Sequence, residues 1–154
     1  MKKQQFYKTR EMTFQIEEPG YKFQMNDVAA SIAISGLKNS DKWLDYRRQI
    51  ADYYTSNLKC TTISGGSYWL YGIMVGDRDK VARELKEAGI ETNLCHIRND
   101  EFTVFKIFKN HCPNMDKLEL EYLYIPINIK MSFDDAKYIV KNLNEIIKKH
   151  AKRN

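Results

Sequence analysis

SYWLYGIMVGDRDKVARELKEAGIETNLCHI, residues 67–97, carries two different periodicities in one stretch. Residues 68–75 are rich in aromatic and aliphatic side chains and read as a strand. Gly76 interrupts the run, and Asp77 stands where a helix would be capped. Val81, Ala82, Leu85 and Ala88 then recur at three and four, one face of a 3.6-residue period. Gly89 falls where a helix closes through a left-handed residue. Residues 90–97 read as a second strand. Strand, helix and strand in succession predict helices laid on a small sheet.

Reading outward supports the same plan. Residues 98–114 hold Phe102, Val104, Phe105, Ile107 and Phe108 without a clear period, which predicts a loop with a helical turn. A short helix is expected over 115–121 and a short strand over 123–127, where Pro126 demotes it to an edge or an end. Ser132 and Asp135 form an S-x-x-D capping pattern before a helix striped with Phe133, Ala136, Ile139, Val140, Leu143, Ile146 and Ile147. Upstream, a helix from Ser40 aligns Trp43, Leu44, Arg47, Ile50, Ala51, Tyr54 and Leu58, and 61–67 with Gly65-Gly66 reads as a turn. Before it, Asn26 caps a helix over 28–35 that ends near Gly36. That helix is small or apolar on every side, so it should be buried all round, against a second domain or subunit. The expected fold class is an α/β (α+β) sandwich, a small and mostly antiparallel sheet with helices packed on it. Residues 1–18 form a poorly defined segment, 19–148 the domain, and 149–154 a basic tail.

A chain of 154 residues is long enough for one domain with a real core. No apolar run reaches the ~18 residues of a membrane span, and Met1-Lys2-Lys3-Gln4-Gln5 lacks the apolar stretch of a signal peptide. A cytoplasmic protein without membrane partners is expected. Cys60, Cys95 and Cys112 are odd in number, which argues against a disulfide framework and for buried reduced thiols. Cys95-His96 and His111-Cys112 lack the tight ligand pairs of structural zinc sites, so no metal site is assigned. Much of the net charge of +5 lies in 148–153. It suits a solvated helix end and, with no nucleic-acid motif beside it, does not imply a nucleic-acid partner.

Two stretches hold groups able to do chemistry. Lys22, on a turn allowed by Pro19-Gly20, precedes the Asn26 helix start, where free N–H groups and a lysine would suit a phosphate or carboxylate. The alternative is a loop lysine with a wet head, and Asp27 counts against a strongly anion-seeking end. In TNLCHIRND, residues 92–100, His96, Arg98, Asn99 and Asp100 gather at a strand's end, as ligand-site groups often do. The alternative is a locally satisfied cluster in which Asp100 pairs with Arg98. No glycine-rich phosphate loop and no G-x-S-x-G elbow occurs. No complete active site is visible, and no catalytic residue is assigned.

EPGYKFQMNDVAASIAISGLKNSDKWLDYRRQIADYY, residues 18–54, resembles the segment that follows the catalytic core in the DegT/DnrJ/EryC1/StrS sugar aminotransferases. Gly20, Tyr21, Lys22, Phe23, Met25, Asp27, Ala29 and Ala30 fit that pattern, as do Arg47, Arg48, Ile50, Ala51 and Tyr54. SYWLYGIMV, LKEAGIETNLCHIRND and YLYIPINIKMSFDDAKYIVKNL match later pieces in the same order. The resemblance implies the C-terminal small domain of a fold-type I enzyme that uses pyridoxal 5'-phosphate (PLP). Such enzymes move an amino group, usually from glutamate, to a keto sugar carried on a nucleotide. It implies a homo-oligomer, with Lys22 and Tyr21 reaching the neighbour's cofactor phosphate. Arg98, His96, Asn99 and Asp100 would bind the nucleotide-sugar substrate. The family's Schiff-base lysine and its acidic cofactor partner have no counterpart here, Lys22 replaces a commoner asparagine, and Gln24 stands where arginine is frequent. The chain is therefore expected to be inactive alone and to need a large domain or a full-length aminotransferase subunit. The alternative is a non-catalytic nucleotide-sugar-binding or regulatory partner module.

Overall fold

The computed structural model describes residues 25–63 and 65–151. Among these residues the order is α1 (Asp27–Leu37), α2 (Ser40–Asn57), β1 (Thr61–Ile63), β2 (Tyr71–Met74), α3 (Arg78–Glu87), α4 (Pro113–Glu121), β3 (Tyr122–Ile125) and α5 (Phe133–Ala151). Two short 3-10 helices, Asn99–Glu101 and Thr103–Phe108, lie between α3 and α4. Aromatic β2 is the middle of a three-stranded sheet ordered β1-β2-β3, antiparallel throughout. Ile63 faces Gly72, Tyr71 faces Ile125 and Met74 faces Tyr122.

Alternation along the strands sorts side chains onto two faces. Tyr71, Ile73, Leu123 and Ile125 share one face and are buried. Helices α2, α3 and α5 cover it with Ile50, Ala51 and Tyr54, with Val81, Ala82 and Leu85, and with Ala136, Ile139, Val140, Leu143 and Ile146. These are the positions the 3.6-residue stripes select. On the other face, a Cβ at Gly72 would lie 2.9 Å from Ile63 Cδ1. Glycine at that position lets the Ile63 side chain lie across the middle strand.

Local chemistry fixes the ends. The Ser132 hydroxyl accepts from the Asp135 N–H (3.1 Å) while Asp135 Oδ2 accepts from the Ser132 N–H (2.8 Å), so α5 opens on a reciprocal cap. Those Ser132 donors hold the Asp135 carboxyl below the usual carboxylate range. Helix α3 closes with Ile90 N–H on Leu85 O and Gly89 N–H on Lys86 O, Gly89 being left-handed at φ 77°. That is the Schellman pattern, and it needs a residue without a Cβ penalty. The Asn144 amide ties α2 to α5, donating to Asn57 O and accepting from Lys59 N–H. Helices α1 and α2 meet at a corner held by Asn39 N–H on Gly36 O and Ser40 Oγ on Leu37 O.

Several sequence expectations need correction. The strand expected over 68–75 begins at Tyr71, because Tyr68 is left-handed (φ 49°) and its hydroxyl accepts from Gly65 N–H in a turn. Part of the turn expected over 61–67 is strand β1. The strand expected over 90–97 pairs only at Asn93, whose N–H and C=O exchange bonds with Tyr124. Further along, the Tyr122 hydroxyl takes the His96 carbonyl that a ladder would otherwise use. Asp77 precedes α3 in a left-handed conformation, and its side chain makes no capping bond. Helix α4 starts at Pro113, earlier than expected, since proline suits a first helical turn. Trp43 remains exposed, so the first turn of the α2 stripe lies beyond the core.

Helix α5 continues to Ala151, and its last turn reaches α3: Lys149 Nζ and His150 Nε2 each lie 2.9 Å from the Glu84 carboxylate. Hydrogen bonds from Lys149, then His150, pull the Glu84 carboxyl down from 4.5 to about 2. A carboxylate held down in the folded state contributes stability that is complete above pH 4.5 and is lost as the pH falls toward about 2. Glu84→Gln should therefore lower the melting temperature near neutral pH. In melts followed by circular dichroism, the gap to the unaltered chain should close across that acid range.

Candidate functional site

The first stretch singled out by sequence falls mostly outside the described residues, Tyr21 and Lys22 included. The helix behind them is described. Asn26 Oδ1 accepts from the Ala29 N–H at 2.8 Å, and Asp27 occupies the first turn. The start of α1 is thus capped by its own asparagine and carries an acid. It does not by itself fit a phosphate.

Helix α1 buries none of its residues. Val28, Ile32, Ile34 and Leu37 are 60–70% exposed, and Met25 before them 76%. The burial all round that its composition demands is not supplied by the described residues. Isolated helices of this length are marginal in water even when made of strong helix formers. Such a face needs a partner.

The second stretch forms an ordered corner. Arg98 is only 9% exposed at its side chain and meets acids from two elements. Its Nε and Nη2 donate to the two carboxylate oxygens of Asp100, at 2.8 and 2.6 Å. Its Nη1 donates to Asp116 on α4 and lies 3.6 Å from Glu119 Oε2. The bidentate fork uses the planar geometry that lysine lacks. These bonds, Asp100 first, raise the Arg98 pKa above its ordinary value, and Arg98 in turn pulls the Asp100 carboxyl down. Arg98 and Asp100 are thus brought together as partners, and the guanidinium is neutralised from within the chain. Asn99 opens the adjoining 3-10 turn and is exposed. Lys109 closes the loop from the far side on Glu101, at 2.8 Å.

His96 is presented differently. It is exposed, and its ring meets both Trp69 and Tyr124 edge to face. Its Nδ1 lies 3.4 Å from the Tyr124 hydroxyl, and its carbonyl accepts from Tyr122. Desolvation, with Cys95 nearby, raises the Tyr124 pKa.

Sequence reasoning missed three members of this corner. Trp69 and Tyr124 read as strand aromatics, and Tyr122 fell between the expected helix and strand, although β3 begins with it and so sets it on one face with Tyr124. Arg78 was also missed. It is buried, donating to Glu119 O (2.6 Å) and Asp79 Oδ1 (2.8 Å), and so steadies the end of α4. A lone arginine at a helix start carries no sequence signature for that role. Of the thiols expected to be buried, Cys95 and Cys112 are exposed, and Cys60 is half-buried with its pKa pushed up to about 11 by burial. Among the described residues no helix is long and apolar enough to cross a membrane.

A profile for the DegT/DnrJ/EryC1/StrS aminotransferase family matches residues 1–144. Similar curated proteins include the UDP-4-amino-4,6-dideoxy-N-acetyl-beta-L-altrosamine transaminase of Campylobacter jejuni, 27% identical over 86% of this chain and 39% of that protein. The UDP-4-amino-4-deoxy-L-arabinose--oxoglutarate aminotransferase of Shewanella sediminis is 26% identical over 86% of this chain and 40% of its own length. Among solved structures, the sugar aminotransferase CalS13 of Micromonospora echinospora superposes with a TM-score of 0.74 at 25% identity, covering 82% of this chain and 37% of that one. The chain spans about two fifths of the length of the relatives it matches.

If Arg98 is a clamp, Arg98→Ala leaves Asp100, Asp116 and Glu119 facing one another. Amide exchange should then quicken in residues 96–101 and in α4 while the α2–α5 core keeps its protection. Arg98→Lys should restore only part of it, because an ammonium cannot make the bidentate contact. Hydrogen–deuterium exchange read by mass spectrometry checks both.

Proposed function

Because the chain belongs to the DegT/DnrJ/EryC1/StrS aminotransferase family, we propose that it is the C-terminal small domain of a PLP-dependent nucleotide-sugar aminotransferase. The reaction is transfer of an amino group from glutamate to a keto sugar attached to a nucleotide. The observation that carries this reading is α1: a helix of small and apolar residues behind its capped start, none of them buried by the described residues, in a chain that spans two fifths of the length of its relatives. The missing cover is the family's large domain, or a full-length subunit, in a homo-oligomer. Three free cysteines accord with a reducing cytoplasm.

PLP, when bound, supplies the electron sink for amino transfer. The work of this chain is to bind, orient and enclose. Since the start of α1 is capped and acidic, cofactor anchorage falls to Lys22, with Tyr21 beside it, delivered to the neighbouring subunit. On the substrate side, His96 and Asn99 are the exposed groups of the 96–100 loop. Arg98 and Asp100, expected as direct ligands, are spent on each other and on α4, so their part is to position that loop. This division is supported by the bidentate pair and by the burial of Arg98.

The purified chain should give no turnover with PLP, glutamate and a keto sugar-nucleotide, and turnover should appear once the remaining domain is supplied, mixed or fused. Transamination by the chain alone overturns the reading. Tight sugar-nucleotide binding with no rescue on mixing favours a binding module instead. Changing Val28 and Ile32 to serine should leave the melting temperature of the isolated chain unaltered, within about 0.5 kcal/mol of stability, yet abolish co-elution and rescue.

In the assembled enzyme, Lys22→Ala removes one charge-assisted bond to phosphate. Dialysis and PLP titration should then give a dissociation constant raised about tenfold or more.

A further inference from the structure

Of the nine residues of α4, only Glu119 is buried, and Leu120 is 61% exposed. A helix this short does not hold its place in water by its own hydrogen bonds, and none of its apolar residues is buried to fix it as α2, α3 and α5 are fixed. Polar contacts set its position instead. The last carbonyls of a helix have no partner within it. Here the Glu119 carbonyl accepts from Arg78 Nη1 at 2.6 Å, and the Glu121 carbonyl accepts from the Val75 N–H at 2.9 Å. Both donors lie where β2 runs into α3. Arg78, the first residue of α3, is only 4% exposed, and Asp79 braces it, with Oδ1 2.8 Å from both Nε and Nη2.

The same helix turns its acids to a second arginine. Asp116 and Glu119 stand three apart, on one side of α4. Arg98 Nη1 donates to Asp116 and lies 3.6 Å from Glu119 Oε2. Glu119 therefore meets both guanidinium groups, Arg78 through its carbonyl and Arg98 through its carboxylate. Arg98 in turn grips Asp100 with Nε and Nη2. A continuous set of charge-assisted contacts thus runs from the start of α3, through the end of α4, into the 96–101 loop. Without Arg78, a carbonyl at the end of α4 loses its donor, in a helix that has little else to keep it in place.

We infer that Arg78 is a positioning residue for the substrate loop: acting through Glu119 and α4, it sets where Arg98 holds His96 and Asn99. The word substrate rests on the nucleotide-sugar reading of that loop given above; the mechanical link does not. Lysine at this position keeps a charge and a donor for the Glu119 carbonyl but loses the planar fork braced by Asp79. Glutamine at 119 keeps the carbonyl that Arg78 binds and gives up the carboxylate that faces Arg98.

The test has two arms. In the full chain, hydrogen–deuterium exchange should quicken in α4 and in residues 96–101 for Arg78→Met, while α2 and α5 keep their protection, and Arg78→Lys should fall between that variant and the unaltered chain. Should Arg78→Met not fold, Arg78→Lys and Glu119→Gln carry the same comparison. In the enzyme assembled with its remaining domain, Arg78→Met should raise the KM for the keto sugar-nucleotide about tenfold while kcat and the dissociation constant for PLP stay within about twofold, with partial recovery in Arg78→Lys. A role in folding alone would instead lower kcat with the active fraction and leave KM unmoved. Unchanged exchange in 96–101, or a fall in kcat at constant KM, overturns the role of Arg78. Faster loop exchange in a chain whose unaltered assembly gives no transamination keeps the link from Arg78 to the loop and removes the aminotransferase reading; turnover whose sugar-nucleotide KM ignores Arg78 removes the positioning role alone.

Discussion

Two buried tyrosines join the parts of this domain. Tyr54 on α2 and Tyr71 on β2 meet edge to face at 5.0 Å, and neither has exposed surface. Each also has a hydroxyl to satisfy. Tyr54 donates to Pro126 O, where β3 leaves the sheet, and Tyr71 pairs with Thr55 Oγ1 at 2.7 Å. Burial pushes both phenols above the ordinary tyrosine range, so they stay neutral. Helix, central strand and the exit of the edge strand are thereby set relative to one another. The stripes of α3 and α5 fill the space that remains.

That arrangement makes the two sheet faces unequal. The face behind Tyr71 and Ile73 is sealed by three helices. The face carrying Gly72, Tyr122 and Tyr124 is crossed by Ile63 at one end and by the 96–101 loop at the other. The loop is tied electrostatically, through the acids around Arg98, and its histidine is displayed instead of tucked away. A loop tied down through Arg98 and a helix whose apolar side chains stay exposed are features of a part built to meet something else. Family membership and partial coverage of the relatives agree with that reading.

How much of this was legible depended on where each signal lives. The long helices α2, α3 and α5 were readable because burial of one face imposes a 3.6-residue stripe, and Ser132 with Asp135 marked a helix start that hydrogen bonding realises. Strands of three or four residues carry little period. Thr61-Thr62-Ile63, beside two glycines, looks like a turn until β2 is there to pair with it. The 90–97 segment has a strand's composition, yet its later hydrogen bonding goes to the Tyr122 hydroxyl, which no local pattern announces. In the candidate site, residues 96–100 were identified as a cluster, and the local pairing of Arg98 with Asp100 was one of the two readings left open. What decided between them, Asp116 and Glu119, lies on a helix far along the chain. The ring contacts of His96 also depend on three separate segments converging.

The corner between α1 and α2 has a thermodynamic consequence. Only Lys38 and Asn39 separate the helices, Trp43 packs near Gly36, and the turn is bonded at both ends. The apolar helix is therefore held at a set angle before anything covers it. Whatever docks there meets a surface whose ordering entropy has already been surrendered during folding, so more of the contact energy survives as affinity.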